Sequence, residues 1–362
     1  MSAIPTPVAV YALTAGGANV ARRIAAGLPG AVVFLPERLA RPDLGERSFG
    51  RLAAALAANF QDFRGHVAAA AAGIVVRALA PLLGDKTRDP AVVVVDPEGR
   101  FAVSLLSGHL GGANDLARET ARILGGQAVV TTATDAAGKP GLEVIARDQG
   151  LRIENMKALS RLSRAIVEDD PVPVFDPGDW LRPALAAWPE TFSFLTDPPP
   201  LDLDAPLVYV GQTVIAAPDS WLLIRPPSLA VGLGCNRGTS VEELDGLLIE
   251  VFETHGLSRL SIRCLATIAA KRDETGILAL AERLGVETIF FEAMELGRVR
   301  TPHPSAAVEK HMGVASVCEA AAMLAAGTDR LLAAKHKSRN ATLAAAETSS
   351  WSSAWGPAAR KV

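Results

Sequence analysis

His109 stands in the turn Ser107-Gly108-His109-Leu110-Gly111-Gly112, between a short apolar run and a stretch with helical spacing. An imidazole titrates near neutral pH, so a histidine in such a turn can serve as acid or base. The glycines let a ligand approach the backbone closely. The helix expected after them, with Asn114 as N-cap and Asp115 and Glu119 in its first turns, leaves N–H groups that attract an anion. The chemistry implied is proton transfer beside bound negative charge. The plainer reading is a turn that only reverses the chain. A phosphate loop is excluded, because the lysine and hydroxyl of Gly-x-x-x-x-Gly-Lys-Ser/Thr are missing.

Other stretches offer reactive groups. Thr131, Thr132 and Asp135 follow an expected strand over residues 128–132, where they can bind a ligand or merely close a turn. Gly232-Leu233-Gly234-Cys235-Asn236-Arg237-Gly238-Thr239-Ser240 is another strand-to-helix turn, with Thr239 or Ser240 as N-cap. Its spacing is one residue too long for a dinucleotide fingerprint. Cys235 is a nucleophile candidate, but a packed thiol is the commoner case. Lys271 and Lys335 sit at expected strand ends, as partners for acids or as rim lysines. Arg77 interrupts an apolar run and is expected to snorkel, pair with an acid or meet a ligand. Lys86 and Arg88 belong to a charged loop that leads into the strand at 91–95, which ends at Asp96.

These groups need a scaffold. Poorly alternating strands at 8–13, 31–35, 66–71, 91–95 and 101–106, interleaved with helices, predict a mainly parallel, Rossmann-like sheet covered on both faces. Ligands in such sheets sit at the carboxyl ends of strands, which would bring Asp96 and the 107–112 turn to one cleft. A proline-rich middle module follows, with Trp180, Trp188 and Trp221 read as core or interface and no chemistry of its own. A C-terminal α/β domain completes the chain, with helices at 241–255, 274–284, 305–311 and 316–325 and an edge strand at 330–335. The expected division is an N-terminal three-layer domain over 1–138, a small α/β middle module over 139–226, a C-terminal domain over 227–345 and a loose tail over 346–362. Gly-Gly-Ala-Asn occurs twice, at 16–19 and 111–114. Chance accounts for that more readily than duplication in so alanine- and glycine-rich a chain.

Composition sets the outer bounds. An apolar content of 49% over 362 residues fills several cores, and a net charge of −3 argues against broad nucleic-acid binding. Three scattered cysteines make neither a disulfide framework nor a zinc site. With no secretory signal and no membrane-length apolar run, the expectation is a soluble cytoplasmic protein, with a homodimer as the default assembly.

Three groups of motifs together carry a resemblance. They are Ala72-Gly73-Ile74-Val75-Val76-Arg77 through Lys86-Thr87-Arg88-Asp89-Pro90; Ser104-Leu105-Leu106-Ser107-Gly108-His109-Leu110-Gly111-Gly112-Ala113-Asn114 with 131–135; and the 232–240 turn with Lys271 and Glu274. The chain resembles the CbiG family, the cobalt-precorrin-5A hydrolases of anaerobic cobalamin biosynthesis, from Val8 to about Ala345. The C-terminal part is also similar to the stand-alone CobE protein. The resemblance implies that a ring-A lactone on a cobalt-bearing precorrin is opened with water and that acetaldehyde is released. The cobalt then belongs to the tetrapyrrole-derived substrate, and no metal or cofactor of the protein's own is implied. In that setting His109 is the expected general base, with Asp135, Glu274, Asp89 and Asp96 as further acid–base candidates. The backbone of 111–114 is the expected oxyanion or carboxylate site. Arg77, Lys86, Arg88, Arg237, Lys271 and Lys335 are the expected partners of substrate carboxylates, with Ser107, Gly108, Gly111, Gly112, Asn114, Thr131, Thr132, Gly234 and Cys235 lining the site. The rival readings are a non-catalytic carrier of a cobalt-corrinoid intermediate, and a nucleotide-binding enzyme that the missing fingerprints disfavour.

Overall fold

The computed structural model describes residues 4–85, 88–304 and 316–348. Lys86, the helix expected over 305–311 and most of the expected tail lie outside the described residues. The chain forms two compact units, Met1–Val144 and Ile145–Val362.

The first unit is built on seven strands: β1 Val8–Ala12, β2 Val32–Pro36, β3 Arg47–Phe49, β4 Gly65–Ala69, β5 Ala91–Val95, β6 Phe101–Leu106 and β7 Gln127–Val129. Their order is β3-β2-β1-β4-β5-β6-β7. The strands are apolar on both faces, and helices cover each face, as expected of parallel strands. Val8, Val10 and Ala12 point to a core shared with α1 (Ala15–Gly27) and α4 (Ala113–Leu124). Ala9 and Tyr11 point to the opposite core, under α2 (Leu52–Asn59) and α3 (Ala72–Leu79). Two short helices follow, α5 (Ala133–Ala136) and α6 (Leu142–Asp148).

Strand direction changes the expected geometry. β1 to β5 are parallel, but β6 runs antiparallel to β5, with Val95 opposite Ala102 and Val92 opposite Leu106. The 107–112 turn therefore leaves the sheet at the amino end of β5, whereas Asp96 lies at its carboxyl end. The two do not share a cleft. Asp96 instead closes the β5–β6 turn, its Oδ1 accepting from Phe101 N at 2.6 Å.

The second unit carries two five-stranded sheets. One has the order β10-β9-β11-β12-β8, from β8 Arg152–Ile153, β9 Val172–Phe175, β10 Phe192–Leu195, β11 Leu207–Val210 and β12 Trp221–Arg225, with α7 (Leu159–Val167) and α8 (Arg182–Leu185) beside them. Trp221 is wholly buried, and its indole N–H donates to Leu203 O.

The other sheet has the order β15-β14-β13-β17-β16, from β13 Leu229–Cys235, β14 Ile262–Ile268, β15 Glu287–Phe291, β16 Leu331–Lys337 and β17 Ala341–Glu347. Its helices are α9 (Val241–Thr254), α10 (Thr275–Leu284), α11 (Ala293–Gly297) and α12 (Val317–Ala326). Ser240 caps α9, its hydroxyl accepting from Glu243 N. β17 runs through Ala346 and Glu347, two residues assigned to the tail from sequence. It pairs antiparallel with β13 along seven residues. Its Ala344 and Ala346, with Ala230, Cys318 and Ala322, form a small-residue core that brings α12 close to the sheet.

Candidate functional site

In the first unit the 107–112 turn folds against the segment after β7 and collects polar side chains around His109. The helix begins at Ala113 behind Gly112, which adopts φ 84°. Asn114 is therefore not the N-cap. It is buried, and its side chain is a hub: Oδ1 accepts from Ser104 Oγ at 2.7 Å, and Nδ2 donates to Thr132 Oγ1 at 3.0 Å and Asp135 Oδ2 at 2.9 Å. Gly108 has to be glycine here, because a Cβ would stand 2.7 Å from Asn114 Oδ1. Ser107 holds an unusual φ of 57°, and its hydroxyl ties the turn to Asp89 O at 2.8 Å.

His109 is held from both sides. Nδ1 donates to Glu143 Oε1 at 2.5 Å, and Nε2 donates to Asp135 Oδ2 at 2.6 Å, with Thr134 Oγ1 at 3.2 Å. An ionised carboxylate only accepts, so this arrangement demands a proton on both ring nitrogens. The hydrogen bond to Glu143 is the chief cause that raises the His109 pKa above the ordinary histidine value, against the opposing effect of burial. Burial opposes ionisation of Asp135, but Arg118, donating to Oδ1 at 2.5 Å, and His109 outweigh it and hold that carboxyl below its usual range. Both contacts and that shift favour the charged imidazolium, in which each ring nitrogen is a hydrogen-bond donor.

The backbone site expected at 111–114 is closed by the turn itself. Gly112 N donates to His109 O, Ala113 N to Ser107 O and Asn114 N to Gly108 O, at 2.9, 3.1 and 2.9 Å. Those three N–H groups are spent on the loop's own carbonyls, so they form no oxyanion hole. Thr131 and Arg88 are exposed. Among the described residues Arg77 makes no ion pair with an acid; its guanidinium donates to Gly73 O on its own helix and lies at the surface. Asp89 is buried and accepts from Gly84 N, a loop-closing role. The earlier Gly-Gly-Ala-Asn at 16–19 lies inside α1, with Asn19 exposed, so the two occurrences are not structurally equivalent.

In the second unit a cavity of about 550 Å³ opens beside the β13 turn and the β16–β17 hairpin. Gly234, Cys235, Arg237, Lys271 and Lys335, all expected from sequence, line it. So do Lys337 and Arg339, which were not among the residues expected from sequence. Among the described residues, no aspartate or glutamate lines it. Glu243, near the start of α9, pins the hairpin by accepting from Ser338 Oγ, Asn340 N and Asn340 Nδ2. Lys271 pairs with Glu274 at 3.1 Å and Arg237 with Asp273 at 2.9 Å. Among the described residues, Lys337 and Arg339 make no ion pair with an acid. Burial pushes the Cys235 thiol up despite nearby Lys271, so it is a lining group and not a thiolate nucleophile. Glu274 is 3% exposed, and Gly238 N donates to its Oε1 at 2.7 Å while Lys271 holds its Oε2. It locks the glycine turn, which corrects the acid–base role expected of it.

Among the described residues no group of three or more His, Cys, Asp or Glu side chains is placed to hold a metal ion, and no helix is long and apolar enough to cross a membrane. Glu143 escaped sequence reading. It lies beyond Pro140 and Gly141, in a module read as free of chemistry, and its place in the first turn of a short helix is the one local signal that marks it.

Comparison with known proteins gives consistent matches along the chain. Family models described as Cobalamin synthesis G N-terminal, Cobalamin biosynthesis central region and Cobalamin synthesis G C-terminus match residues 54–135, 140–226 and 229–346. A cobalt-precorrin-5A hydrolase from Priestia megaterium is 32% identical over 351 residues, covering 93% of this chain and 94% of that protein. One from Salmonella typhimurium is 33% identical over 329 residues, covering 88% and 92%. Protein CobE from Sinorhizobium sp is 34% identical over 106 residues, covering 29% of this chain and 69% of that protein.

Proposed function

The chain belongs to the CbiG family of cobalamin-biosynthesis proteins, and from that premise we propose that it is a hydrolase that opens the ring-A lactone of cobalt-precorrin-5A and releases acetaldehyde. The observation that carries the reading furthest is the pairing of His109 with two carboxylates, Glu143 and Asp135. One imidazole held in this way supplies both proton transfers that the reaction needs.

In the first transfer water adds to the lactone carbonyl, the ring C–O bond breaks, and the imidazolium gives its Nε2 proton to the departing oxygen. The new carboxyl group ionises, so both protons of the water go to solvent, one as it adds and one from the carboxyl. In the second transfer the freed hydroxyl returns its proton to the now neutral imidazole. The oxygen forms the aldehyde C=O, the adjacent C–C bond breaks, and its electron pair passes into the macrocycle. His109 ends as it began. The macrocycle is the electron sink, and its cobalt is part of the substrate.

The cations that line the cavity of the second unit support a substrate rich in carboxylates. Lys337 and Arg339 are assigned to bind them. The double variant Lys337→Glu/Arg339→Glu is expected to raise KM by roughly tenfold or more, with kcat little altered, since charge-assisted hydrogen bonds contribute about 1.5–3 kcal/mol. An unchanged KM at low and moderate salt would remove both residues from binding.

The reaction itself is tested by anaerobic incubation of the purified chain with cobalt-precorrin-5A, followed by mass spectrometry with trapping of acetaldehyde. Loss of the two-carbon unit together with trapped aldehyde is the expected result. Tight retention of an unaltered macrocycle would favour the carrier reading. Neither binding nor conversion would overturn both.

A further inference from the structure

His109 is gripped unequally by its two carboxylates. The Glu143 side chain is 7% exposed and the Asp135 side chain 21%, and Arg118, which pairs with Asp135, is 50% exposed. Nδ1 therefore faces the protein interior and Nε2 the more open side. Gly141 stands at the back of the ring, where a Cβ would lie 3.2 Å from His109 Nδ1 and Cε1. That closeness lets the segment carrying Glu143 press against the imidazole.

The two carboxylates also differ in what else holds them. Asp135 has three donors, from His109, Asn114 and Arg118. The Oε2 atom of Glu143 is buried with no hydrogen-bond partner among the described residues. Leaving a buried carboxylate oxygen unpartnered is unfavourable, so simple structural economy does not account for a glutamate here.

We propose that Glu143 is the positioning residue of this site: it grips His109 Nδ1 from the buried side, fixes the plane of the ring and presents Nε2–H to the substrate. The role rests on the hydrolase reading, and the contact itself does not. The arrangement parallels the buried carboxylate behind the histidine of a serine hydrolase triad, which orients the ring and stabilises its charged form without becoming the proton's destination. Asp135 is then the exchangeable partner. An incoming lactone oxygen takes its place on Nε2, while Arg118 and Asn114 retain it nearby. The charged groups around the ring are Glu143 and Asp135, with Arg118 on Asp135 and Asp115 on Arg118.

The test is the titration of His109 by NMR on histidine-labelled protein, with the His109→Gln spectrum assigning the resonance. In Glu143→Gln the His109 pKa is expected to fall toward the ordinary value of about 6.5. In the hydrolase assay kcat should fall roughly 10- to 100-fold with KM little altered. The descending alkaline limb of the pH–rate profile should move to lower pH, because the imidazolium is lost earlier. Glu143→Asp, which keeps the charge, should recover part of both effects, and it serves as the second variant if the glutamine protein folds poorly. An unmoved titration overturns the proposal, and so does a moved titration with an unchanged kcat and pH profile. If the wild-type chain does not convert cobalt-precorrin-5A, the hydrolase reading fails by itself, and the titration still decides whether Glu143 governs His109.

Discussion

Replacing His109 with alanine is expected to lower the turnover of cobalt-precorrin-5A by at least ~10²-fold, the usual contribution of a positioned acid–base group. The loss should fall on kcat more than on KM, because the ring moves protons and the substrate's carboxylates are assigned to other side chains. The variant also loses the donor that separates two carboxylates. Asp135 keeps Arg118 and Asn114, but Glu143 is left buried with neither oxygen paired. A stability loss of about 1–3 kcal/mol should follow. Kinetics must therefore be read at a temperature where circular dichroism shows the variant folded. His109→Gln keeps one donor and should be the more stable of the two, yet equally inactive. Near-normal kcat in a folded alanine variant would remove His109 from the chemistry.

The second large effect concerns stability. In Gly232→Ala the new Cβ would stand 1.8 Å from Cys318 O and 2.7 Å from Ala322 N, both backbone atoms of α12. A side chain can rotate away from such a clash, but a helix backbone cannot. The helix must lift off the sheet, opening the contact that Ala230, Cys318, Ala322 and Ala344 form. Overpacking of this kind usually costs about 1–3 kcal/mol, and with backbone as the obstacle the loss should reach or exceed the upper end. Urea denaturation followed by tryptophan fluorescence measures it. Gly246→Ala is the control of opposite sign. That glycine lies in α9 with nothing within 4 Å of its Cβ position, so alanine should stabilise by roughly 0.5–1 kcal/mol. A Gly232→Ala protein as stable as wild type would show that the close packing of α12 is misplaced.

Local chemistry alone was enough to place several elements. The run Ala91–Val95 is apolar throughout and bounded by Pro90 and Asp96, and it is a strand with those limits. Ser240 caps α9 because its hydroxyl meets Glu243 N, a contact that spans three residues and needs nothing distant. Membership of the family was legible for the same reason, since its motifs are short contiguous strings such as the one from Ser104 to Asn114. His109 could be singled out from its turn.

Long-range pairing decided the rest. The reversal of β6 against β5, invisible in either strand's composition, sends Asp96 and the His109 turn to opposite ends of the sheet. The alanine-rich β17 has little intrinsic preference for a strand. It becomes one because β13 offers a complete ladder and α12 requires small residues beneath it. Its hairpin with β16 is what sets Lys335, Lys337 and Arg339 on the wall of a cavity whose other cations are Arg237 of the β13 turn and Lys271. Glu143 reaches His109 across 34 residues of chain, and Asn114 abandons the cap position for a buried hub. A sequence states which groups are available and how each short stretch prefers to bend. Which carboxylate meets which nitrogen depends on strand direction and packing between distant segments, and those are properties of the assembled fold.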